Sequence, residues 1–386
     1  MNNWKETTLD NAVEIIKDSW KPGDGFSKYL GLEHINENSL TLNGIGNSGE
    51  LKSNKFKFEN GDILFGKLRP YFRKVVMPKF SGVCSTDIWV MRAKDSFDQK
   101  YLFYFVANPI FIDKSMGANT GTHMPRADWN YLKNTKWKFP EYGEQKQIAA
   151  ILSSLDDKIE LLRAENETLE KIAQGIFKEW FVNFTIDGKK LKLKDGIPEG
   201  WRVGRLTEIA DFLNGYAMQK FPAKNQLEYF PVIKIKEMSS GITSQTDKAS
   251  KDIPEKYIVE NGDILFSWSG SLDIDIWKYG KGVLNQHLFK VTSEKFPKWF
   301  YFYWVKFHLP SFKQIASAKA VTMGHIQRHH LEDANVIIPD EKSLEAVDDL
   351  IKPVFEKVIL NNSQIQTLSR LRDNLLPKLM SGEIKV

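Results

Sequence analysis

The sequence predicts a mixed α/β protein built as two copies of one unit, each a globular block followed by a long helix. Two observations predict this fold. The second half of the chain repeats motifs of the first half in the same order, and each half ends in a segment with a sustained heptad pattern. Two copies are too few for a solenoid, so the repeat indicates a duplicated pair of domains.

The repeat consists of five matches at offsets of 197 to 202 residues. The hexapeptide Asn-Gly-Asp-Ile-Leu-Phe occurs at 60–65 and again at 261–266. Aromatic runs follow at 100–105 and 298–303. Further on, 122–126 resembles 324–328 when their histidines are aligned, Trp4 with Leu9 matches Trp201 with Leu206, and Pro140 matches Pro339. Six identical consecutive residues are hard to obtain by chance.

The segments after the two prolines carry apolar residues that alternate in steps of four and three, the pattern of a coiled-coil seam. The first seam comprises Ile148, Leu152, Leu155, Ile159, Leu162 and Leu169. The second comprises Val347, Ile351, Val354, Val358, Ile365 and Leu368. Asn166 and Asn361 also fall on the seam and could set its register. Pro353 predicts a kink or a delayed start of the second helix.

Net charge differs between the four predicted segments of the chain. The predicted boundaries are 1–143 for the first block, 144–183 for the first helix, 184–339 for the second block and 340–386 for the second helix. Counting Lys and Arg against Asp and Glu gives net charges of +4, −3, +5 and −1 in that order. The basic blocks favour a polyanion such as DNA, although a solvated lysine surface would give the same excess.

Within the blocks, Asn-Gly at 60–61 and 261–262 predicts tight turns that lead into apolar strands. The aromatic runs predict short buried helices. The stretch 186–200, rich in lysine and glycine, predicts a linker into the second block.

Composition favours a soluble protein of a reducing compartment, and we expect a cytoplasmic one. Of the 386 residues, 42% are apolar and 27% charged, which excludes wholesale disorder. The single Cys84 allows no internal disulfide. The first residues lack a signal-peptide core, and the longest apolar run, 299–305, is too short to span a membrane.

A search for catalytic chemistry finds little, and the sequence predicts no catalytic residues. No phosphate-binding Walker loop occurs, and the neighbouring His325, His329 and His330 lack the cysteines or carboxylates of a metal site. Asn-Pro-Ile-Phe at 108–111 departs from the Asn-Pro-Pro-Phe/Tyr loop of amino-methyltransferases at its third position. We expect Cys84 to be a buried hydrophobe and Asp62 and Asp263 to support their turns. No metal or cofactor is predicted in this chain.

The remaining candidates are binding residues, since arginine reads guanine and lysine neutralises phosphate. The candidate DNA-binding residues of the first block are Lys67, Arg69, Tyr71, Arg73, Lys74, His123 and Arg126. Those of the second block are Lys234, Lys236, Trp268, His325 and Arg328. We place Lys234 and Lys236 on a strand at 231–235. The loop after the repeated hexapeptide is basic in the first copy and Ser-Trp-Ser-Gly-Ser in the second. Either the two copies read different DNA bases with these loops, or the loops are unimportant surface segments whose sequences have diverged.

Four stretches together resemble the specificity subunit of type I restriction–modification systems. They are 60–71, from Asn-Gly-Asp to Leu-Arg-Pro-Tyr; Gly-Thr-His-Met-Pro at 121–125; Glu-Gln-Lys-Gln-Ile-Ala at 144–149; and the closing 375–384. The second copy lacks the Lys-Leu-Arg-Pro stretch, and its helix starts Glu-Lys-Ser-Leu instead of Glu-Gln.

The resemblance implies that each block is a target recognition domain reading one half of a split sequence in double-stranded DNA. It implies that the two helices form an antiparallel coiled coil with pseudo-twofold symmetry, and that the chain has no catalytic activity. The implied partners are two methyltransferase subunits, which bind S-adenosylmethionine, and nuclease-translocase subunits, which use ATP and Mg²⁺. A coiled-coil scaffold whose blocks bind protein is the alternative, and an independent enzyme is a third interpretation.

Overall fold

Both halves of the chain form the same four-stranded antiparallel sheet. The computed structural model describes residues 4–117, 125–225, 227–243, 245–318 and 324–386. In the first half, the strand order is Val13–Ile16, Ile88–Ala93, Ile63–Gly66 and Val75–Val76. In the second half, the order is Asp211–Asn214, Leu288–Thr292, Ile264–Ser267 and Asp273–Ile276. The repeat in sequence is therefore a repeat in topology.

The register of the two sheets also agrees. Val90 lies opposite both Ile16 and Leu64, and in the second sheet Lys290 lies opposite both Leu213 and Leu265. Because side chains alternate between the two faces of a strand, equal register puts corresponding residues on corresponding faces.

The repeated hexapeptide forms a turn followed by a buried inner strand, as predicted. Gly61 and Gly262 have φ values of 85° and 90°, which L side chains rarely adopt. The Asp62 carboxylate accepts a hydrogen bond from the Glu59 N–H over 2.7 Å, and Asp263 accepts one from the Glu260 N–H over 2.8 Å. Both aspartates support their turns, as expected.

Each aromatic run forms a buried helix against its sheet. The first helix is Gln99–Ala107, and the Asp98 carboxylate caps it by accepting from the Tyr101 N–H over 2.9 Å. The second is longer than predicted, Lys298–Ala318, and continues through Pro310. The aromatic side chains lie in the cores, as the sequence predicted.

The remaining elements complete a mixed helix and sheet fold. The other strands of the first half are Lys5–Thr8, Ser19–Trp20, Lys28–Leu30, Gly46–Asn47, Lys55–Phe58, Gly82–Cys84 and Lys136–Phe139. Those of the second half are Thr185–Ile186, Lys189–Lys190, Leu193–Lys194, Ile197–Pro198, Arg202–Arg205, Phe230–Ile233, Lys248–Ala249, Ile258–Val259, Gly282–Leu284 and Asn335–Ile338. The short helices are Leu9–Ala12, Pro109–Met116, Trp129–Leu132, Leu206–Ile209, Ile235–Ser240 and Arg328–Glu332. The 3₁₀ turns are Leu32–His34, Pro70–Phe72, Met218–Lys220 and Glu255–Tyr257. The predicted linker at 186–200 contains most of two small hairpins.

Two long helices, Tyr142–Phe181 and Glu341–Met380, have 40 residues each. The prediction that Pro353 delays the start of the second is wrong. Asp340 caps that helix by accepting from the Ser343 N–H over 2.9 Å, and this bond lowers the pKa of the Asp340 carboxyl. Pro353 lies inside the helix, with an exposed side chain.

The chain divides into two compact units. The first unit comprises Met1–Ile159 with Thr367–Val386, and the second comprises Glu160–Gln366. The first unit therefore takes the beginning of one long helix and the end of the other. The second takes the end of one and the beginning of the other. No helix in the described part of the chain is long and apolar enough to cross a membrane.

Each unit buries seam residues of both helices. In the first unit, Ile148 and Leu152 belong to the same buried cluster as Leu376 and Leu379. In the second unit, one cluster contains Ala173, Phe177, Val347, Ile351, Phe355 and Val358. All twelve apolar residues of the predicted seams are buried or half-buried.

Candidate nucleic-acid interface

Five residues come together in the first unit at the edge of the repeated sheet, and we call them the first corner: Lys17, Lys67, Arg69, Asp87 and Arg126. The backbone holds them in place. The Lys67 N–H donates to the Asp87 carbonyl over 2.9 Å, and the Arg69 N–H donates to the Pro125 carbonyl over 2.8 Å. Leu68 forms a β-bridge with Arg126.

The first corner carries four cations and one carboxylate. Arg126 Nη2 lies 2.9 Å from Asp87 Oδ1, and both side chains remain partly exposed. Burial lowers the pKa of the Lys67 ammonium, the charge of Arg126 lowers it further, Asp87 opposes this shift and Lys17 adds to it. Excess positive charge is thus held partly out of water, an arrangement that favours an anion or a strong acceptor.

Arg69 has an unusual backbone. Its φ of 51° is left-handed, a conformation that costs a non-glycine residue roughly 1–2 kcal/mol. Its Nε is buried and finds no hydrogen-bond partner among the residues that the structure describes. Arg73 also has a left-handed φ, 48°, and a buried Nη2 without a partner among the described residues, but its Nε and Nη1 are held by Ala107 and Asp373, whereas Arg69 Nε has no such partner.

The same place in the second unit has a different chemistry. We call Asn214, Trp268, Gly270, His287 and His325 the second corner. Trp268 Nε1 donates to Asn214 Oδ1 over 3.1 Å, and the indole ring lies 5.9 Å from the His287 ring and 6.3 Å from the His325 ring. None of the five residues that define this corner is a carboxylate, lysine or arginine.

The two corners correspond position by position. The Gly270 N–H donates to the Gly324 carbonyl over 2.8 Å, as Arg69 does to Pro125. Ser269 bridges His325, as Leu68 bridges Arg126.

Gly270 has a φ of 66°, so glycine occupies the left-handed position that Arg69 occupies in the first unit. Sheet register pairs Lys17 with Asn214 and Asp87 with His287. All five residue types differ.

This correspondence corrects the sequence alignment of the loops. The sequence matched His123 with His325 at an offset of 202, but the backbone bonds match Arg126 with His325, an offset of 199. The short helices that follow agree with 199, since they begin at Trp129 and Arg328. His123 itself lies outside the described residues.

Two basic candidates in the first block are held by the protein. Arg73 is a correction, because it is buried: its Nε donates to the Ala107 carbonyl over 2.6 Å and its Nη1 to Asp373 over 3.3 Å. Burial also lowers its pKa. Lys74 Nζ donates to the Leu32 carbonyl over 2.7 Å. Tyr71 remains exposed beside Phe72.

The prediction that Lys234 and Lys236 alternate on a strand is wrong. The strand ends at Ile233, Lys234 precedes the helix Ile235–Ser240, and Lys236 lies within that helix. Lys234 forms an ion pair with Asp247. Arg328 begins the helix Arg328–Glu332 and is exposed.

The single cysteine lies in the core, where a nucleophile would have no access to a substrate. Cys84 is buried in an apolar cluster, and this burial raises the pKa of its thiol to about 12. Within the described ranges, no three His, Cys, Asp or Glu side chains are grouped as metal ligands.

The sequence missed Lys17, Asp87, Asn214 and His287 as site residues. Each of them lies at the end of a strand and is distant in sequence from the corner loop that it packs beside. Only the alignment of the two copies, strand by strand, could have indicated these positions.

The fold defines a protein built from two copies of one unit, and comparison with known proteins gives its family. The model of the family described as "Type I restriction modification DNA specificity domain" matches residues 1–171 and again residues 198–370. The chain belongs to this family, as the resemblance in sequence indicated. Its members recognise DNA targets, so the alternative of a scaffold for protein partners is not favoured.

Individual relatives agree. The type I restriction enzyme MjaIX specificity subunit of Methanocaldococcus jannaschii is 29% identical over 307 residues, covering 76% of this chain and 71% of the relative. The HindI specificity subunit of Haemophilus influenzae is 22% identical over 469 residues and covers all of both chains. The S subunit of a type I restriction–modification system from M. genitalium superposes with a TM-score of 0.54 at 15% identity, covering 98% of this chain and 96% of that one. This last likeness shows the fold.

Proposed function

We propose that the two blocks each read one half of a split, non-palindromic DNA sequence, and that the chain directs partner enzymes to it without catalysing a reaction itself. One observation carries this proposal: the DNA specificity domain occurs twice in the chain, with the same sheet and different corner residues. Non-identical reading surfaces on one framework suit a target with two different halves.

The two long helices form the spacer in this proposal, as an antiparallel coiled coil. Support comes from the contacts inside each unit. The beginning of one helix shares a core with the end of the other, which an antiparallel pair produces at both ends. In the second unit, Asn361 Nδ2 donates to Asn166 Oδ1 over 2.9 Å, which joins the two seams directly. A helix of 40 residues is about 60 Å long.

The partners in this proposal are two methyltransferase subunits that modify adenine, joined by nuclease-translocase subunits. Support for two equal copies comes from exposed apolar side chains that the repeat duplicates on the helices. Leu161 and Leu360 are 60% and 52% exposed, at an offset of 199. The same offset relates Ile151 to Leu350 and Ile172 to Leu371, all of them exposed. Exposed apolar residues repeated at matching heptad positions are typical of a docking face. S-adenosylmethionine, ATP and Mg²⁺ are expected on these partners.

The test is methylome sequencing of cells that carry this chain and its cognate methyltransferase, beside a deletion of this chain. We expect a split, asymmetric adenine-methylated motif that disappears in the deletion. An unchanged methylome, with partner expression verified, would contradict the proposal.

The spacer is tested separately by inserting whole heptads into 155–170. We expect the distance between the half-sites to change while both half-sites keep their bases. Altered half-sites at unchanged spacing would show that the helices do not set the distance between the half-sites.

A further inference from the structure

The two corners occupy the same place in the two units, yet share no residue type at any of their five positions. We propose that they are base-reading sites with opposite preferences: the first corner selects a G·C pair through Arg69, and the second selects an A·T pair through Trp268. This inference rests on the proposed function and assigns its specificity to named residues.

Arg69 carries the first part of the inference. The second unit shows that the position is left-handed in this fold and that Gly270 suits it. Arginine therefore keeps the same conformation against its own backbone preference. Its Nε has no acceptor among the described residues, so no hydrogen bond holds the guanidinium at that atom. The arginine fork matches the O6 and N7 acceptors of guanine.

The neighbours of Arg69 fit the same ligand. Lys67 lies two residues before it, Arg126 follows the Pro125 whose carbonyl accepts the Arg69 N–H, and Asp87 orients Arg126 through their 2.9 Å contact. The half-buried Lys67 loses part of its hydration, which an acceptor oxygen of a base or phosphate would replace. The first corner is therefore built for acceptors.

The second corner is built for an apolar group. The only N–H of the Trp268 indole is already donated to Asn214, so the exposed part of the ring offers carbon atoms and a π face. The rings of His287 and Phe289 flank it, each 5.9 Å away. Apolar contact with the C5 methyl group reads thymine in the major groove.

The test uses the full chain in complex with its methyltransferase subunits and a library of randomised target sites. The variants are Arg69→Gly and Arg69→Asn in the first corner, with Lys100→Gln as a control that removes one exposed charge from the same unit. In the second corner, Trp268→Gln removes the apolar ring, and Trp268→Phe retains an apolar face. Glycine and asparagine tolerate the left-handed backbone, so these Arg69 variants remain folded.

We expect both Arg69 variants to lose discrimination at one G·C position of one half-site, by on the order of ten- to hundred-fold. The other half-site stays intact, and Lys100→Gln changes neither. Trp268→Gln relaxes one A·T position in the opposite half-site, while Trp268→Phe keeps it.

Unchanged half-sites in folded variants would overturn the inference. So would a uniform loss of binding across all sequences, since that identifies a phosphate contact. Relaxation at a position of the wrong base type would also overturn it. If the unsubstituted complex selects no split motif, the proposed function fails, which is a different result from a split motif that ignores the corner variants.

Discussion

Arg372, four residues after the seam residue Leu368, donates from Nη1 to Asp156 Oδ1 over 2.7 Å, and only 3% of the arginine is exposed. The Tyr104 hydroxyl donates to the other oxygen of Asp156 over 2.7 Å. Burial alone would lower the pKa of Arg372, but the carboxylates of Asp156 and Asp373 outweigh it and raise that pKa. The first unit thus contains an ionic layer built around a buried arginine.

The corresponding layer of the second unit is apolar. The offset of 199 places Ala173 and Phe355 where the first unit has Arg372 and Asp156, and Phe302 replaces Tyr104. The rings of Phe302 and Phe355 lie 5.4 Å apart. The two units thus fill equivalent layers by opposite means.

Arg372→Ala leaves the half-buried Asp156 carboxylate without its main partner. We expect the first unit to lose about 3–5 kcal/mol of unfolding free energy, and the second to be unaffected. Hydrogen exchange of helix amides in Gln99–Ala107 and Lys298–Ala318 measures the two units separately.

The matched variant combines Arg372→Ala, Asp156→Phe and Tyr104→Phe, which copies the second unit's layer. It should recover most of the loss, because a packed apolar layer replaces a buried ion pair at little cost. Equal loss in both variants would contradict this account.

Asn361→Leu removes the bond between the seams and leaves the Asn166 amide buried. We expect a loss of about 1–3 kcal/mol in the second unit. The double variant Asn166→Leu with Asn361→Leu should be at least as stable as the original chain, since buried asparagines fix register at a cost in stability. Denaturant unfolding measures both. Size-exclusion chromatography with light scattering then reports whether the double variant acquires additional association states, as the register role requires.

His308 gives the second unit a dependence on pH. Its Nε2 donates to the Asn335 carbonyl over 2.8 Å, and burial lowers the pKa of the imidazole. The folded state therefore favours neutral histidine, while the unfolded state binds the proton more readily. This contribution to stability is complete above the ordinary pKa of about 6.5 and falls as the pH decreases below it. Thermal unfolding between pH 7.5 and pH 5 (roughly the range of histidine titration) should show this fall, and His308→Gln should flatten it. A slope that the substitution leaves unchanged would assign it to other groups.

Leu161→Asp and Leu360→Asp test the docking faces for the methyltransferase subunits. Each substitution puts a charge into one apolar contact, so each should remove one of two bound copies, and the double variant should remove both. Native mass spectrometry of the reconstituted complex counts the copies. Lys171→Asp, on an exposed helix position, is the control and should retain two. Binding of two copies by the double variant would place the docking surface elsewhere.

The sequence predicted the repeat, the buried aromatic helices, the turns and the two long helices, because these depend on local periodicity and on glycine chemistry. Arg73 shows the limit. Its partners Ala107 and Asp373 lie 34 and 300 residues away along the chain, so its burial is decided by tertiary packing that no local pattern records.

The corners show a second limit. The His123 and His325 alignment followed residue identity, while the structure aligns Arg126 with His325 by backbone bonding. Loop side chains differ between the copies and the backbone pairing does not. Residue identity therefore aligns the two copies poorly in loops whose backbone pairing is the same but whose side chains differ. Lys234 and Lys236 failed for a simpler reason: the helix Ile235–Ser240 begins where the strand pattern was extended.

The composition of the first unit has a consequence for biosynthesis. Leu376, Leu379 and Met380 are part of the buried cluster that contains Leu9 and Phe105, so the core of the first unit is completed only by residues that follow the second unit in the chain. The ribosome synthesises the whole of Glu160–Gln366 before it adds Leu376, Leu379 and Met380. The second unit can therefore fold during translation, while the first must wait, with an open apolar surface, until residues 376–380 have been synthesised.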